Sequence, residues 1–196
     1  MYIPKHFEIT DTTEIDNFIQ QNSFGMLMSQ CQGETVASHL PFYRSSKKQL
    51  QAHLAKTNPQ WEDLDGQRVL VILTGPHDYI SPTWYEKPGG VPTWNYQAVH
   101  IYGRAQCYTD TERLDDLVKE LSNRYESQRP SPWQADFNPK MLNAIVGIDI
   151  SIEDIQCKYK LSQNRSQSEI ENVSAELEVA GNPSLAAAMR TLSGKD

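Results

Sequence analysis

Apolar residues in this chain gather mostly into short, β-rich runs separated by turns and loops, so strand pairing must supply much of its core. Gly25 to Gln30, Thr35 to Tyr43 and Gln49 to Leu54 read as strands, with Ser45 to Lys48 as a turn before the last. Arg68 to Thr74 is a buried strand centred on VLVIL. Tyr79 to Tyr85 and Thr93 to Cys107 flank EKPGGVP, whose prolines and paired glycines make a hairpin loop. A last strand is expected near Leu142 to Ile152, where Ile148, Ile150 and Ile152 alternate with Asp149, Ser151 and Glu153.

Helices interrupt this pattern at few places. Asp11 and Glu14 form a D-x-x-E capping pattern, and Ile15, Phe18 and Ile19 then share one face to about Gln21. A short helical or irregular piece, limited by Pro59, follows the third strand. Asp110 caps the clearest helix, with Leu114, Leu117, Val118, Leu121 and Tyr125 at helical spacing. Beyond Arg165 two short helices are expected, about 168–179 and 182–192, with Gly181 stopping the first and Asn182–Pro183 starting the second. The order, mostly antiparallel strands with a few helices, predicts a barrel or an α+β domain, mainly β.

The 196 residues suffice for one substantial core. No apolar run approaches the roughly 20 residues of a membrane span. MYIPKHFEIT lacks a basic stretch followed by an apolar one, so no signal peptide is expected. Cys31, Cys107 and Cys157 are odd in number and far apart, which argues against a disulfide framework and for reducing cytoplasm. The net charge is −7 and the cations are scattered, so direct binding to a nucleic-acid backbone is not expected to be strong.

Three segments could carry chemistry. Tyr79 to Gly103 places Trp84, Tyr85, Trp94 and Tyr96 near both ends of one loop, with Ser81, Thr93 and Asn95 adding hydrogen-bonding capacity. These rings either stack on a planar ligand or fill the end of a barrel. In HLAKTNPQW, His53 closes a strand and Lys56 lies three residues on, near a possible helix start. They either hold a phosphate or are an ordinary strand end. KYKLSQNR, Lys158 to Arg165, either clamps an anionic ligand or partner subunit or is a polar lead into the tail. His39, alone on a strand, is ordinarily structural. There is no G-x-G-x-x-G, P-loop or G-x-S-x-G, no zinc spacing among the five histidines, and no nucleophile beside a base.

Taken together these segments resemble the PaiB-type FMN-binding negative transcriptional regulators. MYIPKHF, ASHLPF, HLAKTNPQW, GPHDYISPTWY, VPTWNYQAVHIYG and KYKLSQNR occur in that family's order, and the ending AAAMRTL is similar too. One departure is TNP, where a small residue is expected before NP. The resemblance implies an FMN-binding split β-barrel, Greek-key and antiparallel, over 1–165, with a C-terminal helical extension over 166–196. It also implies FMN, a homodimer, and repression of protease synthesis and sporulation. For the flavin it implies His53 and Lys56 at the phosphate, and Ser81, Thr93 and Asn95 nearer the ribityl chain or ring. Lys160, Ser162, Gln163, Asn164 and Arg165 would complete the pocket, in cis or across the dimer, with His39, Trp84 and Trp94 as further candidates. The rival is a flavin-dependent oxidoreductase, of the pyridoxamine-phosphate-oxidase-like or flavin-reductase-like class; because the cofactor carries such chemistry, a missing catalytic motif does not exclude it.

Overall fold

A computed structural model describes residues 1–86, 90–136 and 138–194. The helices are α1 (Thr12–Gln21), α2 (Thr111–Glu126), α3 (Gln167–Val179) and α4 (Pro183–Ser193). The strands are β1 (Phe24–Cys31), β2 (Glu34–Pro41), β3 (Tyr43–Ser46), β4 (Gln49–Ala55), β5 (Arg68–Ile80), β6 (Thr93–Tyr108) and β7 (Ile145–Lys160). They form one antiparallel sheet in the order β2-β1-β5-β6-β7-β4-β3. Residues group into two compact units interleaved along the chain. The first is Met1–Phe18, Thr74–Val99 and Gln156–Asp196; the second is Ile19–Leu73 and His100–Ile155.

In the second unit, Leu27, Leu50, Val71, Ile101, Ile148 and Ile150 are fully buried. β2 and β3 stand at opposite ends of the strand order, yet only Phe42 separates them in the chain. A sheet whose two ends are joined by one residue must curl toward closure, which removes exposed edges. Phe42 is completely buried, and its N–H donates to Ser23 O at 2.8 Å. The expected single strand 35–43 is therefore two strands, because a change of pairing partner, which local pattern does not encode, interrupts the ladder. α2 starts where Asp110 accepts from the Arg113 N–H at 3.0 Å, and it buries Leu114, Leu117 and Leu121 with Tyr108 and Leu142.

In the first unit, α1 is capped by Asp11, whose carboxylate accepts from the Thr13 N–H at 2.8 Å. The end of α3 carries Gly181 at φ +89°, a left-handed position that glycine adopts without strain, and Asn182 then caps α4 through the Leu185 N–H. Val173, Leu177, Leu185 and Ala186 bury the contact face of these two helices. Asn182 also donates to His77 O at 3.1 Å, which ties the helical pair to β5.

β3 takes Ser45 and Ser46 of the expected turn, and β5 and β7 depart most from their expected bounds. β5 continues through Gly75 and Pro76 to Ile80, after which a 3₁₀ turn, Pro82–Trp84, replaces the expected strand 79–85. β7 starts at Ile145 and extends to Lys160, taking the first three residues of KYKLSQNR into the sheet. Continued pairing with neighbours carries both strands past residues that would end an isolated one. Lys87, Pro88 and Gly89 of the expected hairpin loop lie outside the described residues.

Candidate functional site

Within the first unit, the start of β6 meets the end of β7 and the turn after it. Lys158 and Lys160 lie two residues apart, hence on one face of β7. The Lys160 ammonium donates to Thr93 Oγ1 at 2.6 Å and to Trp94 O at 2.5 Å. Burial, then repulsion from Lys158, lowers its pKa. Lys158 donates to Tyr2 O at 3.1 Å and lies 5.3 Å from the centre of the Tyr96 ring. Asn95 is 1% exposed; its amide donates to Ser162 Oγ at 2.9 Å and to Met189 Sδ at 3.4 Å. Its own Oδ1 is buried without a hydrogen-bond partner. Ser162 adopts φ +66°, unusual outside glycine, so the turn presents its hydroxyl to Asn95 at some backbone cost.

The rest of this turn has mixed duties. Gln163 folds back on its own strand, accepting from the Leu161 N–H at 2.7 Å and donating to Tyr159 O at 2.5 Å. Asn164 is exposed. Arg165 stacks on Tyr85, its guanidinium carbon 4.1 Å from the ring centre, and stands 3.7 Å from Glu169. Ser166 and Glu169 form a capping box that opens α3, a helix start immediately beyond the segment. Ser81 caps the 3₁₀ turn through the Thr83 N–H at 3.2 Å. Trp84 is half-buried, whereas Trp94 is 54% exposed and meets Tyr79 edge-on at 6.3 Å. A cleft of about 510 Å³ opens in the same unit between the N-terminal segment, the end of β7 and the two tail helices; Leu161, Arg165, Ile170 and Met189 are among its walls.

His39, His53 and Lys56 belong to the second unit. His39 is exposed on β2 and stacks with Phe24 at 6.2 Å. His53 lies on β4 opposite Gly147 of β7. A Cβ on Gly147 would come within 2.2 Å of the Tyr108 ring, so glycine there admits that ring onto the sheet. His53 Nδ1 is buried without a hydrogen-bond partner, and burial pulls the ring's pKa below 6.5. The Lys56 N–H donates to Ala144 O at 2.8 Å, the Asn58 N–H to Ala55 O, and the Gln60 N–H to Asn58 Oδ1 at 3.0 Å. These three backbone donors are already taken and are not available to an anion.

Sequence reasoning singled out Lys158 with the rest of KYKLSQNR but missed Met189 and Glu169 as neighbours of the turn. Nothing local could have suggested Met189, which arrives from α4. Among the described residues no group of three His, Cys, Asp or Glu could hold a metal ion, and no helix is long and apolar enough to cross a membrane.

The antiparallel sheet with flanking helices has the split-barrel fold. Two solved structures share the fold across most of this chain. The flavocytochrome Anf3 from Azotobacter vinelandii matches with a TM-score of 0.63 at 13% identity, over 86% of this chain and 77% of that one. The FAD and heme binding protein from Mycobacterium smegmatis matches with a TM-score of 0.64 at 16% identity, over 86% and 79%. A family model described as "Putative FMN-binding domain" matches residues 1–154, and the chain belongs to that family, whose cofactor is FMN. Protease synthase and sporulation protein PAI 2 of Bacillus subtilis (strain 168) is 44% identical over 192 residues, 93% of this chain and 92% of that protein. Uncharacterized protein AN0679 of Emericella nidulans is 30% identical over 216 residues, 85% and 86%.

Proposed function

We propose that this protein is an FMN-binding negative transcriptional regulator of the PaiB type, acting as a homodimer. The observation that carries the reading is the 44% identity to the Bacillus subtilis protein across nearly the whole of both chains. Two features of the residues suit a flavin. Asn95 Oδ1 and His53 Nδ1 are buried polar atoms without partners, each of which an incoming polar group could satisfy. Lys160, Thr93 and Ser162 add a cation and two hydroxyls beside Asn95. Lys160, Asn95 and Ser162 would hold polar groups of the cofactor, and Arg165 would supply charge. His53 and Lys56 are proposed separately as phosphate contacts, with Ser81, Trp84, Trp94, Gln163, Asn164 and His39 as weaker candidates. When bound, FMN supplies reversible electron acceptance; the residues bind it and orient it. Residues 166–196 are proposed as a helical extension of the barrel.

The homodimer reading draws on exposed rings. Phe24 is 63% exposed, Trp94 54% and Tyr79 40%, and apolar surface of this kind commonly marks interfaces. Regulation is proposed to act without strong non-specific DNA contact, since the chain carries net charge −7 and α4 offers only Arg190 as a cation, already paired with Glu171 and Glu178.

Flavin fluorescence quenching on titration of the purified protein with FMN tests the reading. Saturable quenching is expected, weakened roughly tenfold or more in Lys160→Ala, the scale of one charge-assisted hydrogen bond. An unchanged affinity in a His53→Ala/Lys56→Ala protein would remove those two from the set. Anisotropy with random-sequence duplex near physiological salt should show weak binding, and sedimentation equilibrium should show a dimer. Rapid bleaching of the bound flavin by NAD(P)H would favour the oxidoreductase reading instead.

A further inference from the structure

The cleft of about 510 Å³ in the first unit lies within the size range of small-molecule sites, roughly 300–1,000 Å³. Its walls come from His6 and Ile9 near the N-terminus, from the residues after β7, and from α3 and α4. Its character is divided. Leu161, Ile170, Met189 and Leu192 give it an apolar side. Arg165 and His6 are the ionisable groups that line it, and no carboxylate does so among the described residues, although the chain as a whole carries net charge −7.

Arg165 has its charge paired with buried Glu169, while its side-chain hydrogen-bond donors are uncommitted among the described residues. The Tyr85 ring holds its guanidinium at 4.1 Å, and Glu169 is 3.7 Å away, too far for a hydrogen bond. Glu169 accepts from the Ser166 N–H at 3.3 Å and from the Ser166 hydroxyl at 3.2 Å through Oε2, while its Oε1, the atom facing Arg165, is buried without a hydrogen-bond partner. A stacked guanidinium keeps donors in a planar fork, which matches a carboxylate and does not match an ammonium or an alcohol.

From this we infer that the cleft is a second ligand site, distinct from the flavin, and that it takes a small carboxylate with an apolar body. The carboxylate pairs with Arg165, and the hydrocarbon lies against Leu161, Ile170 and Leu192. Because Arg165 is also among the proposed flavin contacts, the experiment separates the two.

Isothermal titration of the FMN-loaded protein with octanoate, 1-octanol and octylamine tests the inference. Octanoate should bind saturably and about tenfold or more tightly than 1-octanol, with octylamine weakest. Arg165→Gln should reduce octanoate to the affinity of 1-octanol. Leu192 is half-buried on the last turn of α4, and Leu192→Asp should abolish octanoate binding while FMN affinity and Tm hold. Equal affinity for acid and alcohol, or preference for the amine, overturns the carboxylate assignment. Octanoate that binds only the FMN-free protein, or that FMN displaces, shows one shared site and overturns the second-site inference. If the protein binds no FMN at all but still discriminates octanoate from octanol through Arg165, the flavin reading fails and this one stands.

Discussion

Asp149 sits on the outward-alternating side of β7 and is nevertheless only 8% exposed. It is tolerated because Gln51 donates to it at 2.8 Å and Arg113 at 2.5 Å, with the Arg113 guanidinium stacked 3.8 Å from the Tyr108 ring centre. A carboxylate out of water without its partners is costly, so Arg113→Ala should lower the urea-derived unfolding free energy by about 1–3 kcal/mol. Adding Asp149→Asn should cost less than the sum of the two single changes. His53 obeys the same logic with opposite charge. Its folded pKa is held below 6.5 by burial, so folding favours the neutral ring. That stability is present above pH 6.5 and is lost as pH falls through the lowered folded value. His100 is shifted the same way, chiefly by burial. The urea midpoint should therefore drop on acidification below pH 6.5, and His53→Gln should flatten that drop. Were FMN phosphate to meet His53, an NMR titration of its ring would move upward on loading.

At the scale of elements, the meeting of β6, β7 and α2 depends on a missing side chain. The Tyr108 ring occupies the space where a Gly147 side chain would stand, and Tyr108 packs with Leu114, Leu117 and Leu121 of α2. Gly147→Ala should therefore destabilise by about 1–3 kcal/mol, as overpacking does, read as a shifted denaturation midpoint. Tyr108→Leu in the same chain should recover part of the loss, because the smaller side chain vacates the collision. The four helices were legible from sequence for a related reason: cap and period are local. Asp11, Asp110 and Asn182 each accept the backbone bonds their positions announced. The strands were legible in kind but not in extent. Nothing near Pro76 shows that pairing will carry β5 on to Ile80, and nothing near Tyr43 shows that β3 leaves the partner of β2 for that of β7.

Across the whole molecule, acid groups that must stay protonated are buried in both units. Burial raises the Cys107 thiol to about 11 and the Tyr108 phenol to about 12. The Cys157 thiol is raised to about 12, and Tyr159, which donates to Glu14 at 3.1 Å, is raised further by burial and nearby negative charge. Each pKa lies above its ordinary value, so the stability they contribute is complete below about pH 9 and is lost as pH climbs through 11 and 12. Alkaline titration followed by tyrosinate absorbance should show the last phenols ionising together with loss of circular dichroism, at a pH lower in Gly147→Ala.

The amino-acid sequence by itself determined the strand-rich class, the four helices with the N-caps of α1, α2 and α4, and the segments in which a flavin family is recognisable. Each depends on residues within a few positions of one another, where propensity, capping and period act. Tertiary structure alone decided that Asn95 meets Ser162 and Met189, that Lys160 is held by Thr93 and Trp94 O, and that Arg165 lies on Tyr85 beside a cleft. Those partners stand far apart in the chain, and only the pairing of β6 with β7 and the docking of the tail helices bring their atoms together.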